Sequence, residues 1–241
     1  MEYKKFLIPV SIEADFLDEA WFLALQSMFI DGRVYQIDQG SFEGHRRLEL
    51  DFVTINIKHP GEGNLIPVIP EGMARVTAPA SPEHVNSYYS YLMSADKAEY
   101  EQYTYGERIV GGVNQVEKII ERFRKYGEGT NQCCMAVARP EDIELTDPPC
   151  LRMIDCRMMY GQLHFIVYFR SWDLWGGLPS NLAGIQMLKQ MMAYSIGCED
   201  GGIIACSKGL HLYDHVFEQA AIRAYKTEKL VELESILGVK F

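Results

Sequence analysis

Between residues 133 and 213 the chain alternates short apolar runs with tight turns, around one long stretch that is apolar on most sides. Cys133–Ala138 reads as a short inner strand, and Leu151–Met158 and Leu163–Phe169 read as strands joined through Tyr160-Gly161. The stretch from about Leu182 to Ile196 has the length of a helix and little polar surface, which predicts a central, buried position. Ile203–Cys206 and Leu210–Tyr213 follow as strands, and an amphipathic helix covers roughly His215–Ile236. Strands on both sides of a buried helix point to an α+β, mixed α/β architecture, with a large mixed sheet packed against that helix.

The first half fits the same plan. A strand around residues 5–10 leads to a helix from Glu13 to about Phe29, stopped by Asp31-Gly32. Leu48–Ile57 forms one extended segment, ended by His59-Pro60-Gly61, and residues 60–80 form a proline- and glycine-containing loop. Ser81-Pro82-Glu83 is a helix start, and a further helix spans Gly112–Lys125 with Val116, Ile119, Ile120 and Phe123 as its apolar stripe. No repeat or linker interrupts the 241 residues, and a hydrophobic content of 48% is enough for one sizeable core. A single domain over residues 1–241 is expected.

Charge and cysteine usage exclude several roles. The net charge of −10 argues against wrapping a nucleic-acid polymer, though one or two arginines in a concave site can still hold a small phosphate. No run of eighteen apolar residues predicts a membrane span, so the cytoplasm is the expected location. The six cysteines have neither disulfide-motif nor metal-ligand spacing, so free thiols and no metal are expected.

Cys150 stands apart because Pro148-Pro149 pins the chain immediately before it. A thiol held on a stiff turn suits nucleophilic attack if a cation favours its thiolate, and Arg170 is the candidate. Arg170-Ser171 offers a guanidinium and a hydroxyl suited to phosphate oxygens. Asn181 can donate and accept along the edge of a pyrimidine, and His211 and Tyr213 share one face of a strand. Each residue also has an ordinary reading. Cys150 could be a packing cysteine and Arg170 could pair with Asp173. Asn181 could cap a helix, and His211 and Tyr213 could satisfy one another in the core.

In order and separation these residues resemble the thymidylate synthase family. The pattern is proline-cysteine, then Arg-Ser-x-Asp-x-x-x-Gly-Leu-Pro-x-Asn from Arg170 to Asn181, then His-x-Tyr at His211–Tyr213. The likeness extends upstream through Tyr105-Gly106 and the helix at 112–125, and the short N-terminal half looks like the archaeal-type branch. The resemblance implies that Cys150 attacks C6 of a deoxyuridylate, so that C5 can take a one-carbon unit from 5,10-methylene-tetrahydrofolate or a related methylene-tetrahydropterin. It also implies that Arg170 and Ser171 hold the phosphate, that His211 and Tyr213 contact the sugar, and that Asn181 reads the base. Asp173 and Gly177 would face the pterin, Tyr105 would join the catalytic group, and Glu83 is the positional match for an upstream carboxylate.

The chain also departs from that pattern. Where the family carries paired arginines donated across a dimer, the sequence reads Thr130-Asn131-Gln132-Cys133, which removes one reason to expect the usual homodimer. Arg33, Arg46, Arg47, Arg108 and Arg139 are the candidates to replace them. Leu151 stands in place of the family's histidine and Phe169 in place of its glutamine, and Gly238-Val239-Lys240-Phe241 differs from its closing tail. Rival readings are a pyrimidine nucleotide hydroxymethylase of the same fold, a non-catalytic nucleotide-binding homologue, and a cysteine hydrolase built from Cys150 and His211.

Overall fold

Alternation of apolar and polar residues builds two mixed sheets, and the seam between them positions the residues singled out above. The structure, a computed structural model, describes residues 6–38, 42–238 and 240–241. Residues 1–5, and with them the start of the expected strand at 5–10, lie outside that set. The larger sheet joins β1 (Pro9–Ala14), β4 (Phe52–Ile57), β9 (Glu199–Ser207), β7 (Gln162–Phe169), β6 (Leu151–Met159) and β5 (Cys134–Ala136), in that spatial order. The smaller sheet joins β2 (Arg33–Gln36), β3 (Arg46–Leu50), β10 (Leu210–Tyr213) and β8 (Trp172–Asp173). Helix α5 (Gly177–Ile196) packs on β7 and β9, buries Leu178, Leu182, Ile185, Leu188 and Met192, and is the expected central helix. One apolar core runs from Ile12 to Leu230 through both sheets. Among the described residues no helix is long and apolar enough to cross a membrane.

Several boundaries move, each for a physical reason. The first strand is β1 at Pro9–Ala14, because Glu13 is taken into a parallel ladder opposite Asn56. Proline is tolerated at Pro9 as the first residue of an edge strand. Helix α1 therefore starts only at Leu17 and runs to Asp31. Cys134–Ala136 is an edge strand rather than an inner one, with Cys133, Met135 and Val137 buried and Cys134 exposed. The final helix is two: α6 (Phe217–Arg223) and α7 (Thr227–Leu237). Tyr225 adopts φ 55° between them, with Tyr225 N–H bonded to Ile222 O and Lys226 N–H to Ala221 O, a left-handed helix stop. The turn through Tyr160-Gly161 is as expected, with φ of 57° and 73° matching the twist of a two-residue hairpin.

The extended segment at 48–57 is also two strands, broken at Asp51, because β3 belongs to the small sheet and β4 to the large one. Asp51 accepts from Ile8 N at 2.9 Å and pairs with Arg33, so the break is fastened. A second crossing lies between β9 and β10, where Gly209 takes φ +80° and its N–H reaches Leu50 O. The third lies at Arg170-Ser171, where the chain leaves β7 and enters β8 beside β10.

The remaining helices cover this corner. They are α2 (Pro82–Met93), α3 (Tyr105–Ile109) and α4 (Gln115–Tyr126), whose N-caps are Ser81, Thr104 and Asn114. The stripe Val116, Ile119, Ile120 and Phe123 of α4 is buried as expected, although the helix starts after Gly112, which sits at φ +69°.

Candidate active site

Cys150 is the last residue before β6, half-buried, and its turn is fastened on three sides. Its carbonyl accepts from Arg170 N–H at 2.8 Å, which ties the turn to the end of β7. The next amide, Leu151 N–H, donates to Tyr105 Oη at 3.2 Å. Arg152 donates from Nη1 to Pro149 O at 3.3 Å, and is itself held 3.3 Å from the buried Asp142. Burial pushes the Cys150 thiol above its ordinary value; Arg170 and Arg152 oppose that rise, and Asp147 adds to it.

Arg170 does not pair with Asp173. Its Nε donates to Pro148 O at 3.1 Å, and its Nη2 donates to Asp147 Oδ1 at 2.9 Å. The guanidinium thus wraps the turn that carries the thiol while remaining partly open to solvent. Ser171 follows it, half-buried.

Asp173 performs the capping that the sequence allows for Asn181. Its Oδ1 accepts from Trp175 N–H at 2.9 Å, and its Oδ2 accepts from the N–H groups of Gly176 and Gly177, each at 3.2 Å. These are the unsatisfied amides at the start of α5, where a carboxylate is favoured. Helix α5 therefore begins at Gly177, and Asn181 lies inside it rather than at its cap. A Cβ on Gly177 would lie 3.2 Å from Asp173 Cβ and 3.7 Å from Asn181 Oδ1, so the glycine keeps this approach close. Asn181 accepts through Oδ1 from Trp172 Nε1 at 3.0 Å.

His211 and Tyr213 do share one face of β10, with ring centroids 4.7 Å apart in an edge contact. His211 is buried, and its Nδ1 lies 2.9 Å from Gly209 O. A carbonyl can only accept, so Nδ1 carries the proton and Nε2 is an acceptor. That Nε2 is buried and has no partner among the described residues. Burial depresses the imidazole's affinity for a second proton, against the opposing Gly209 carbonyl and the Asp173 charge.

Arg47, on β3, stands in register opposite Tyr213, with Nε 2.7 Å from Glu49. Its charge bears on both His211 and Tyr213, and the charges of Asp173 and Cys150 bear on Tyr213. Of the other arginines named as replacements, Arg33 is held by Asp51, Arg108 is buried on Asp142, and Arg139 lies 3.8 Å from Glu107. Arg46 is fixed through its backbone N–H on Asp214, 2.8 Å away.

Tyr105 is brought to the thiol, and other tyrosines come with it. Its ring lies 5.3 Å from Tyr91, 6.2 Å from Tyr103 and 6.3 Å from Tyr88. Burial raises the phenols of Tyr88, Tyr103 and Tyr105, and a thiolate at Cys150 would raise all three further. Tyr88 Oη is buried without a partner among the described residues, and its ring lies over Gly184 of α5. Glu83 is not brought into this group. It is exposed on the first turn of α2, where the Ser81 hydroxyl bonds its carboxylate and holds it below the ordinary range.

Tyr88, Tyr91, Tyr103 and Trp172 stand beside these residues in the structure although no motif in the sequence marks them. The available signal was spacing: Tyr88 and Tyr91 are one helical turn apart, and Trp172 lies inside the Arg-Ser-x-Asp block.

Comparison with known proteins identifies sequence relatives. The sequence model of the family described as Thymidylate synthase matches residues 81–234, which include Tyr105, Cys150, Arg170, Ser171, Asp173, Asn181, His211 and Tyr213 but not Arg47. A protein of Methanosarcina acetivorans named "Putative thymidylate synthase" is 29% identical over 214 residues, covering 88% of this chain and 93% of that protein. One of the same name from Methanothermobacter thermautotrophicus is 27% identical over 221 residues, covering 87% and 96%.

Proposed function

Since the chain belongs to the thymidylate synthase family, we propose that it methylates the pyrimidine of deoxyuridylate at C5, through a covalent adduct between Cys150 and C6. The observation that carries this reading is the convergence of the Cys150 turn with Arg170, and of His211 with Tyr213 and Arg47, at the seam of the two sheets. The two groups are within electrostatic reach of one another, since the Arg170 charge bears on His211 and the Cys150 charge bears on Tyr213.

Each residue has a task that its surroundings support. The Cys150 thiolate adds to C6 and the electron pair moves to C5, which takes the one-carbon unit and then gives up its own proton; expulsion of the thiolate from C6 finally restores the ring. Arg170, with Ser171 beside it, binds the phosphate by charge-assisted hydrogen bonds, and Arg47 adds a second guanidinium from β3. The unpartnered Nε2 of His211 accepts from a sugar hydroxyl, and Tyr213 lies beside it. Asn181 meets the base edge with one acceptor and one donor. Tyr105, fixed on the amide after the cysteine, holds the turn and presents a neutral phenol.

A methylene-tetrahydropterin supplies the one-carbon unit and the hydride. Asp173 and Gly177 are suited to receive it: the carboxylate is oriented by three backbone amides and keeps lone pairs free, and the glycine leaves the approach open.

The test is tritium release from [5-³H]deoxyuridylate with methylene-tetrahydrofolate and with methylene-tetrahydromethanopterin. Release with at least one donor is expected, and product mass then separates a methyl from a hydroxymethyl product. Cys150→Ser should abolish release. A Cys150→Ser protein that retained full release would refute the covalent step.

A further inference from the structure

We propose that Trp172 is the positioning residue that sets pyrimidine selectivity, by fixing which end of the Asn181 side-chain amide faces the base. This rests on the reading that Asn181 contacts the pyrimidine edge.

Uracil presents a donor, N3–H, beside an acceptor, O4. Cytosine presents the reverse, an acceptor at N3 beside an amino donor at C4. A carboxamide can meet either pattern by turning half a revolution about its Cβ–Cγ bond, because oxygen and NH₂ occupy nearly the same space. An asparagine therefore does not choose between the bases until something chooses its orientation.

Trp172 supplies that choice. Its Nε1–H lies 3.0 Å from Asn181 Oδ1, and an indole N–H can only donate. The bond requires oxygen on the tryptophan side. Turning the amide would set NH₂ against N–H and leave a donor without an acceptor in a largely enclosed position. The Oδ1 lone pair not used by Trp172 and the Nδ2 hydrogens then remain for the ligand, in a fixed left-right order.

The indole is itself held firmly. Trp172 is 2% exposed. Its ring stacks on Phe169 at 4.1 Å between centroids and 5° between planes. Residue 172 pairs in register with Leu210 of β10, and its N–H donates to Gly209 O. Phe169, at the end of β7, thus backs the indole whose edge holds the amide, and Trp172 cannot shift without disturbing the pairing of β8 with β10. Asn181 alone has no comparable restraint.

Trp172→Phe removes the N–H while keeping an aromatic ring for the stack. Equilibrium binding of deoxyuridylate and deoxycytidylate, without pterin, measures the ratio of the two dissociation constants. The wild type is expected to favour deoxyuridylate, and Trp172→Phe to narrow the ratio by about tenfold, through tighter cytidylate binding as well as weaker uridylate binding. In an Asn181→Ala background the same change should leave the ratio where it was, which a general loss of packing would not do.

A Trp172→Phe protein that folds and keeps the full wild-type ratio overturns the proposal. So does a wild type that releases tritium from deoxyuridylate yet binds both nucleotides equally, an outcome that leaves the methylation reading intact. A wild type that binds neither nucleotide overturns the functional reading and this inference with it. Should Trp172→Phe fail to fold, the indole N–H resonance decides. It should be protected from solvent exchange in the wild type and lose protection in Asn181→Ala; unchanged exchange there refutes the bond on which the proposal stands.

Discussion

Cys150 must become a thiolate in a place that disfavours one. Burial raises its pKa, and Asp147 both adds a negative charge and engages the guanidinium of Arg170. Replacing Asp147→Asn removes that charge and leaves Arg170 uncompensated, so the thiolate fraction at neutral pH should rise. Iodoacetamide should then alkylate Cys150 several-fold faster at pH 7.5, with Cys150→Ser as the blank; an unchanged rate would mean that Asp147 has no hold on the thiol. For the same reason, alkylation of the wild-type residue should keep accelerating above the pH range of an ordinary thiol.

His211 makes a different prediction. Its pKa is depressed in the folded protein below the ordinary value near 6.5, so between those two values the unfolded chain binds a proton that the folded chain does not. The stability tied to neutral His211 is complete above about pH 6.5 and is lost as pH falls toward the folded value. Urea unfolding between pH 7 and pH 5 should show this slope, and His211→Asn should flatten it. An identical slope in the variant would remove His211 as its source.

Among the elements, the join between α2 and α3 places the tyrosines, and Gly106 permits the join. A Cβ at Gly106 would lie 1.9 Å from Ser94 O and 2.5 Å from Tyr91 O, both backbone atoms that cannot swing aside. The Tyr105-Gly106 pair is thus a phenol bonded to the amide after Cys150, followed by the one residue type that lets its helix pack. Gly106→Ala should destabilise the fold by about 2–3 kcal/mol. It should lower Tm by about 2–4 °C for each kcal/mol, measured by calorimetry. It should also slow tritium release, because Tyr105 moves with the helix. A variant of native Tm would show that α2 and α3 separate without strain.

For the whole molecule, each of the two sheets draws strands from both the N-terminal and the C-terminal half of the chain. Gly209 bonds to Leu50, Leu174 N–H donates to His211 O, and Trp21 of α1 donates through Nε1 to Leu174 O at 2.9 Å. With one apolar core through both sheets, the chain should unfold as one unit. Far-ultraviolet circular dichroism and the fluorescence of Trp21, Trp172 and Trp175 should give coincident denaturation curves. A separate transition for residues before 81 would contradict a single domain.

Pattern and spacing by themselves determined much of this protein. Periodicity located the central helix, the 151–169 hairpin and the apolar stripe of α4, because burial of one face is written locally along the chain. The order of Cys150, Arg170-Ser171, Asn181 and His211-x-Tyr213 gave the family and the candidate chemistry for the same reason: each motif is contiguous. Partnership across the chain was not legible. Nothing local shows that Asp51 divides one extended run between two sheets, that Arg170 closes on Asp147 rather than Asp173, or that Glu83 faces solvent while tyrosines surround the thiol. Only the tertiary structure decided that Asn181 answers to Trp172. A side-chain hydrogen bond depends on where two backbones meet in space, and at such short sequence separation a strand and a helix could have met in many ways.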